Sequence, residues 1–162
     1  MIIPPIHVDD HSDHPIEHLS SEVSVQWIDG GRILVNRFLS ARPETYDVWE
    51  AWFMNVLKAW PPDRPVCQLY DLSSPQFTIT LYIGTKIRQL SHQYGRAGGF
   101  SAIVHAKRSF NPILFNLSQM IPPPTGRVRE YFTDYDEAVK WLQEQFESAP
   151  AVVSDPARPQ SS

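Results

Sequence analysis

The chain reads as an α/β protein, with a mostly parallel five-stranded mixed sheet and about four helices in the order β-β-α-β-α-β-α-β-α. Three observations predict it. Val66-Cys67-Gln68-Leu69-Tyr70 is a short apolar run that ends in Asp71, turns through Ser73-Ser74-Pro75 and continues at helical period to Tyr94. That is a strand–loop–helix unit. Val23, Val25 and Trp27 alternate with Glu22, Ser24 and Gln26, and a second apolar run, Ile33–Phe38, returns across Asp29-Gly30-Gly31. That is a hairpin whose glycines supply positive φ. Strand and helix periods then keep alternating to Phe146, a spacing that implies right-handed crossovers and parallel pairing.

Residues 1–20 carry prolines at 4, 5 and 15 and no sustained period, so they are expected to be a disordered tail. His7, His11, His14 and His18 alternate there with acidic residues, at a spacing that would gather four imidazoles on one helical face. Such a face could hold zinc or nickel. Pro15 would interrupt that helix, and the plainer reading is a solvated acidic tail.

The domain is expected over residues 21–148. Its first helix spans Pro43–Trp60, with Pro43 in the first turn and Pro61-Pro62 as the stop. Tyr46, Trp49, Trp52, Phe53, Val56, Leu57 and Trp60 form its apolar stripe, which leaves Met54 outside. Val66–Tyr70 is nearly continuously apolar, as suits a strand covered on both faces, with Cys67 as a small buried hydrophobe. The second helix spans Phe77–Tyr94, with Ile79, Tyr82, Ile83, Ile87, Leu90 and Tyr94 inward and Leu81, Thr85, Arg88 and His92 outward. Lys86 falls on the inner side and must snorkel or find a partner, and Gly84 is assigned to the outer face with Leu81. Phe100–His105 is the next strand. Asn111-Pro112 opens a helix over Ile113–Ile121 in cap-then-proline order. Arg127–Phe132 is the last strand and Thr133–Phe146 the last helix, with Asp134 and Glu137 in capping-box spacing. Residues 149–162 are rich in Pro, Ser and Ala and are expected to be a second disordered tail.

Composition narrows the function. Hydrophobic residues make up 42% of 162, enough for one cored domain. Fourteen Lys and Arg against eighteen Asp and Glu give a formal charge of -4, which argues against nucleic acid as the main partner. One cysteine permits no internal disulfide, as in a reducing cytoplasm. A secretory leader and a membrane-length apolar run are both absent from the expectation, so the protein is expected to be cytoplasmic and not membrane-spanning.

Two stretches carry a family resemblance. VCQLYDLSSPQFTITLYIG resembles the strand of STAS domains that ends in Asp-Leu-Ser and runs on to the second helix. YFTDYDEAVKWL resembles the family's closing strand and Ala-x-x-Trp-Leu helix. Residues 22–147 thus resemble the STAS domain of anti-sigma-factor antagonists and the wider SpoIIAA-like fold. The resemblance implies a regulatory protein working through protein interaction. In that family an Asp-Ser-Ser-Gly opens the second helix and a serine in it is phosphorylated. Here the stretch reads Ile79-Thr80-Leu81-Tyr82, so Leu81 stands at the serine's position and Thr80 is the nearest acceptor. The sequence is therefore closer to STAS-like proteins without the switch, some of which resemble lipid carriers in fold.

Open α/β sheets keep their sites at the C-terminal ends of strands. That edge gathers Asp71, Ser73 and Ser74 from one strand and His105, Lys107 and Arg108 from the next, beside the helix start at Asn111. With Thr80, Leu81 and Arg88 these residues form the candidate surface for a protein, a second copy of the chain included, or for a small anion. A different reading is a carrier whose apolar ligand lies between helices and sheet, lined by Trp49, Trp52, Phe53 and Tyr82. A third is a hydrolase-like enzyme using Ser, His and Asp at the edge, for which no Gly-x-Ser-x-Gly elbow is present. The expectation is a non-enzymatic domain with no cofactor.

Overall fold

The computed structural model describes residues 3–4, 11–93, 98–107 and 126–149. The expected helix at Ile113–Ile121, the tail after residue 149, and His7, Arg108 and Asn111 lie outside the described residues. The strands are β1 (Glu17–His18), β2 (Val23–Ile28), β3 (Ile33–Phe38), β4 (Val66–Leu72), β5 (Gly99–His105) and β6 (Arg127–Phe132). The helices among the described residues are α1 (Pro43–Ala59), α2 (Leu81–Gln93) and α3 (Tyr135–Ser148). The strands form a sheet in the order β1-β2-β3-β4-β5-β6, antiparallel as far as β3 and parallel from β3 to β6.

Strand alternation divides the core in two. Val23, Val25, Trp27, Leu34, Phe38 and Val66 face α1 and α2. Ile28, Ile33, Val35, Cys67, Leu69, Ala102 and Val104 face Ala138 and Leu142 of α3. β4 is thus covered on both sides, as its apolar run predicts. Burial pushes the Cys67 thiol up to about 12, so it packs as a hydrophobe.

On the α1 side one polar pair sits inside the apolar layer. Asn36 is fully buried at mid-strand, and the Trp49 indole Nε1 donates to its Oδ1 at 2.8 Å. The Trp49 ring stacks on Phe53 at 5.0 Å and meets Phe38 and Tyr70 edge-on at 5.5 and 5.9 Å. Aromatic pairs of this kind add to plain burial.

Several expectations need correction. Among the described residues the sheet has six strands, not five, because part of the N-terminal arm joins it. Residues 11–20, expected as disordered tail, run along the hairpin: His14 N donates to Trp27 O at 2.8 Å, and β1 pairs with β2. Asp29, at φ 52°, closes the hairpin and anchors this arm, with His11 Nδ1 at 2.5 Å and Arg32 at 3.1 Å from its carboxylate. The strand at Glu17–His18 replaces the helix that would align the imidazoles. Among the described residues no group of three His, Cys, Asp or Glu could hold a metal.

α2 begins at Leu81, not Phe77. Phe77 is buried and packs edge-on to Phe38 at 6.3 Å, which draws residues 77–80 across the sheet in non-helical form. Met54, expected outside, is partly buried against the α1-side core. Asp134 caps α3 as expected, accepting from Glu137 N at 2.9 Å.

Two substitutions test these constraints. Trp49→Phe keeps a ring but removes the donor to Asn36, and should cost about 2 kcal/mol in urea unfolding. A loss below about 0.5 kcal/mol would show that Asn36 finds another partner. Gly99, at φ 151°, starts β5 so close to β4 that an added Cβ would lie 2.1 Å from Val66 O. Gly99→Ala should lower stability by more than about 1 kcal/mol, and an unchanged unfolding midpoint would show that the strand can shift.

Candidate functional site

Asp71, Ser73, Ser74 and His105 lie at the C-terminal edge of the parallel strands, but they are not joined into one site. Asp71 Oδ1 accepts from Ser73 N at 3.1 Å and from Ser73 Oγ at 2.5 Å, a side-chain turn that shapes the loop. Ser74 Oγ donates to Leu39 O at 2.9 Å and accepts from Gln76 N at 3.3 Å. The serine hydroxyls therefore brace the loop. The register pairs Asp71 with Val104 and Leu72 with His105, so Asp71 and His105 project to opposite faces of the sheet. The juxtaposition required by the hydrolase reading is not formed. Thr80 caps α2, its Oγ1 accepting from Ile83 N at 3.3 Å. Leu81 follows at 76% exposed. Arg88 and Lys107 are exposed.

The seam between α1 and α2 explains Tyr82 and Lys86. Tyr82 OH donates to Asp47 Oδ1, and Lys86 Nζ lies 2.9 Å from Glu50 and 3.7 Å from Asp47. Lys86, placed by its period on the inner side, thus finds carboxylates on the neighbouring helix. Those bonds hold α2 to α1.

Between α2 and the sheet lies a cavity of about 120 Å³. Trp49 and Tyr46 of α1 line it with Ile83, Gly84, Ile87 and Leu90 of α2. The sheet side brings Phe38, Tyr70, Leu72, Ile103 and Tyr131, with Ser101, Arg127 and Arg129 as its polar part. Of the four residues expected around an apolar ligand, Trp49 alone lines it. Phe53 is fully buried behind Trp49, Tyr82 belongs to the helix seam, and Trp52 lies elsewhere on α1. Gly84, assigned from the sequence to the outer face, opens onto the cavity, and an added Cβ would meet nothing within 4 Å.

Polar groups on this face are mostly engaged. Arg127, itself buried, donates from Nη2 to Val66 O at 3.1 Å and to Ser101 Oγ at 2.9 Å. Tyr70 OH donates to the buried Gln68. Tyr46 differs. It is 4% exposed, and its hydroxyl is buried with no hydrogen-bond partner. Burial, then the neighbouring Tyr70 and Glu50, push its ionisation well above the usual tyrosine range, so it stays a neutral donor. Sequence reasoning places Tyr46 in the core but has no signal for a bond left unmade. The alternation of Arg127, Arg129 and Tyr131 along β6 is the one local hint that this face carries polar groups.

The turn bearing Tyr46 is pinned by Glu22. Its carboxylate accepts from Ser40 Oγ and Thr45 Oγ1 at 2.7 Å each, and from Arg42. The Arg42 bond, then those to Ser40 and Thr45, lower its pKa from the ordinary 4.5 to about 2.

No protein-family model matches the chain, and no curated protein does. The topology is an open α/β sheet with helices on both faces. A solved structure similar to it is that of an uncharacterized protein from the DUF3478 family with a SpoIIAA-like fold, from Shewanella loihica PV-4. The two are 15% identical, with a TM-score of 0.49, over 85% of this chain and 99% of that one.

Glu22 generates a pH prediction. A carboxyl whose folded pKa is depressed stabilises fully above its unfolded value and loses that contribution as pH falls towards the folded one. The stability gap between wild type and Glu22→Gln should therefore be largest near neutral pH and close between 4.5 and about 2. Urea midpoints across that range measure it, and a constant gap would show that the ionised carboxylate is not what holds the α1 turn.

Proposed function

We propose that the chain is a non-enzymatic binding domain of the STAS-like type that takes up a small, largely apolar molecule between α2 and the sheet. The observation that carries this reading is the cavity itself, walled chiefly by aromatic and aliphatic side chains. Close-packed interiors leave few voids larger than a water molecule. At about 120 Å³ it is below the roughly 300–1,000 Å³ of pockets for drug-sized ligands. A small ring or short chain therefore suits it better than a membrane lipid. Binding such a molecule would stabilise α2 against the sheet and so alter the surface that α2 presents.

A second reading is favoured by Leu81. An aliphatic side chain 76% exposed beside the Thr80 cap gives the C-terminal edge an apolar point of contact for a partner protein, to which Leu39, 49% exposed, adds. The two readings combine in a regulatory domain whose docking edge responds to a ligand.

Gly84 provides the test. In wild type, titration with benzene should shift the backbone amide resonances of Ile83, Gly84 and Ile87. Gly84→Leu, which would fill the cavity from the α2 side, should stay folded and abolish those shifts. Absence of any shift in wild type, or shifts that persist in Gly84→Leu, would overturn the reading.

A further inference from the structure

We infer that this cavity takes a small organic anion, a short apolar body with one carboxylate, whose head group meets Arg127, Arg129 and Ser101. The inference rests on the proposal that the cavity binds a ligand, and adds the charge and size of that ligand. Arg127, Arg129 and Tyr131 alternate along β6 and so share one face of the sheet, where all three line the cavity. The register sets Ser101 of β5 directly beside Arg129, and the Ser101 hydroxyl accepts from Arg127 Nη2 at 2.9 Å. Ala102 and Val104 of the same strand face α3, so Ser101 points the other way, and it lines the cavity under α2. The Arg127 guanidinium is therefore one hydrogen bond from a side chain of the cavity wall.

Charge decides the class of ligand. The described residues of the lining include two arginines and no carboxylate. Asp47 and Glu50 are engaged with Lys86 at the helix seam and do not line the cavity. Arg127 is 9% exposed, and its Nη2 donates to the neutral oxygens of Val66, Phe100 and Ser101. A buried cation gains from an anion brought beside it, because little water screens the pair. Hydrogen bonds from arginine to a carboxylate are also stronger than those between neutral groups. The Ser101 hydroxyl can accept from Arg127 and donate to the same carboxylate. Phe38 of β3, Trp49 of α1 and Ile83 and Ile87 of α2 supply the apolar wall for the body. A dry cavity of about 150 Å³ accepts benzene, so this one, at about 120 Å³, suits about six heavy atoms. A short-chain carboxylate fits, and a long-chain fatty acid does not.

Butyrate and butyramide are matched probes, close in shape and differing in charge. Binding to the full chain is followed by the backbone amide resonances of α2. Wild type should bind butyrate more tightly than butyramide. Arg129 is half-buried, so Arg129→Met should fold, weaken butyrate about tenfold and leave butyramide unchanged. Arg129→Lys, which keeps the charge, should recover most of that loss. The guanidinium Nε–H resonance that Arg129→Met deletes should shift with butyrate in wild type and stay in place with butyramide. Butyramide binding wild type as tightly as butyrate would overturn the anion assignment, and this comparison needs no variant. So would an Arg129→Met protein that binds butyrate undiminished or loses both probes alike. If both probes fail while benzene binds wild type, the anion assignment falls and the apolar cavity stands. If benzene fails as well, the cavity reading falls and this inference with it.

Discussion

The α1 face of the molecule depends on one hydrogen bond in an apolar layer, from the Trp49 indole to Asn36. An amide at the centre of a covered strand is unfavourable unless its oxygen and nitrogen are both met. Trp49 meets the oxygen, and Leu69 O lies 3.4 Å from Asn36 Nδ2. Sliding α1 by a turn would break the first bond and offer nothing in return. A single polar pair therefore fixes the register of a helix that is otherwise held by non-directional aromatic packing. Tyr46 precedes Trp49 by one turn, so its place at the cavity wall follows from the same bond.

The two sides of the sheet differ in how they are filled. Under α3, Ala138 and Leu142 close on Ala102, Val35, Cys67 and Leu69 with essentially no exposure. Under α2 the helix contributes Gly84, where an added Cβ would meet nothing within 4 Å. Its strongest polar ties, Tyr82 to Asp47 and Lys86 to Glu50, run sideways to α1. Phe77, lodged against Phe38 ahead of the helix, also helps to set where α2 lies. The cavity lies between this helix and the sheet. The side chains around it, Ser101 and Arg127 among them, satisfy one another at the sheet and leave the Tyr46 hydroxyl unmatched.

Much of this architecture is legible in residue order. The alternation at Val23–Trp27, the Asp29-Gly30-Gly31 turn and the stripe on α1 each report a local period, and local periods survive folding. The start of α2 was less legible. Residues 77–80 fit a helical period, but Phe77 gains more by burial against Phe38, and Thr80 is the better cap. The N-terminal arm misled for a related reason. Its composition resembles a free tail, while Asp29, nearly buried at positive φ, supplies a distant anchor through His11 and Arg32.

The amino-acid order by itself determined strands β2 to β6, helices α1 and α3, the apolar stripe of α1, and that Asp134 and Pro43 begin helices. These depend on neighbours within a few residues, through dihedral preference and side-chain spacing. The tertiary structure alone decided that Asp71 and His105 lie on opposite faces, that Gly84 looks inward, that residues 11–18 join the sheet, and that Tyr46 lacks a partner. Each depends on strand register or helix placement across tens of residues, where the energy of one packed arrangement is set by all its members together.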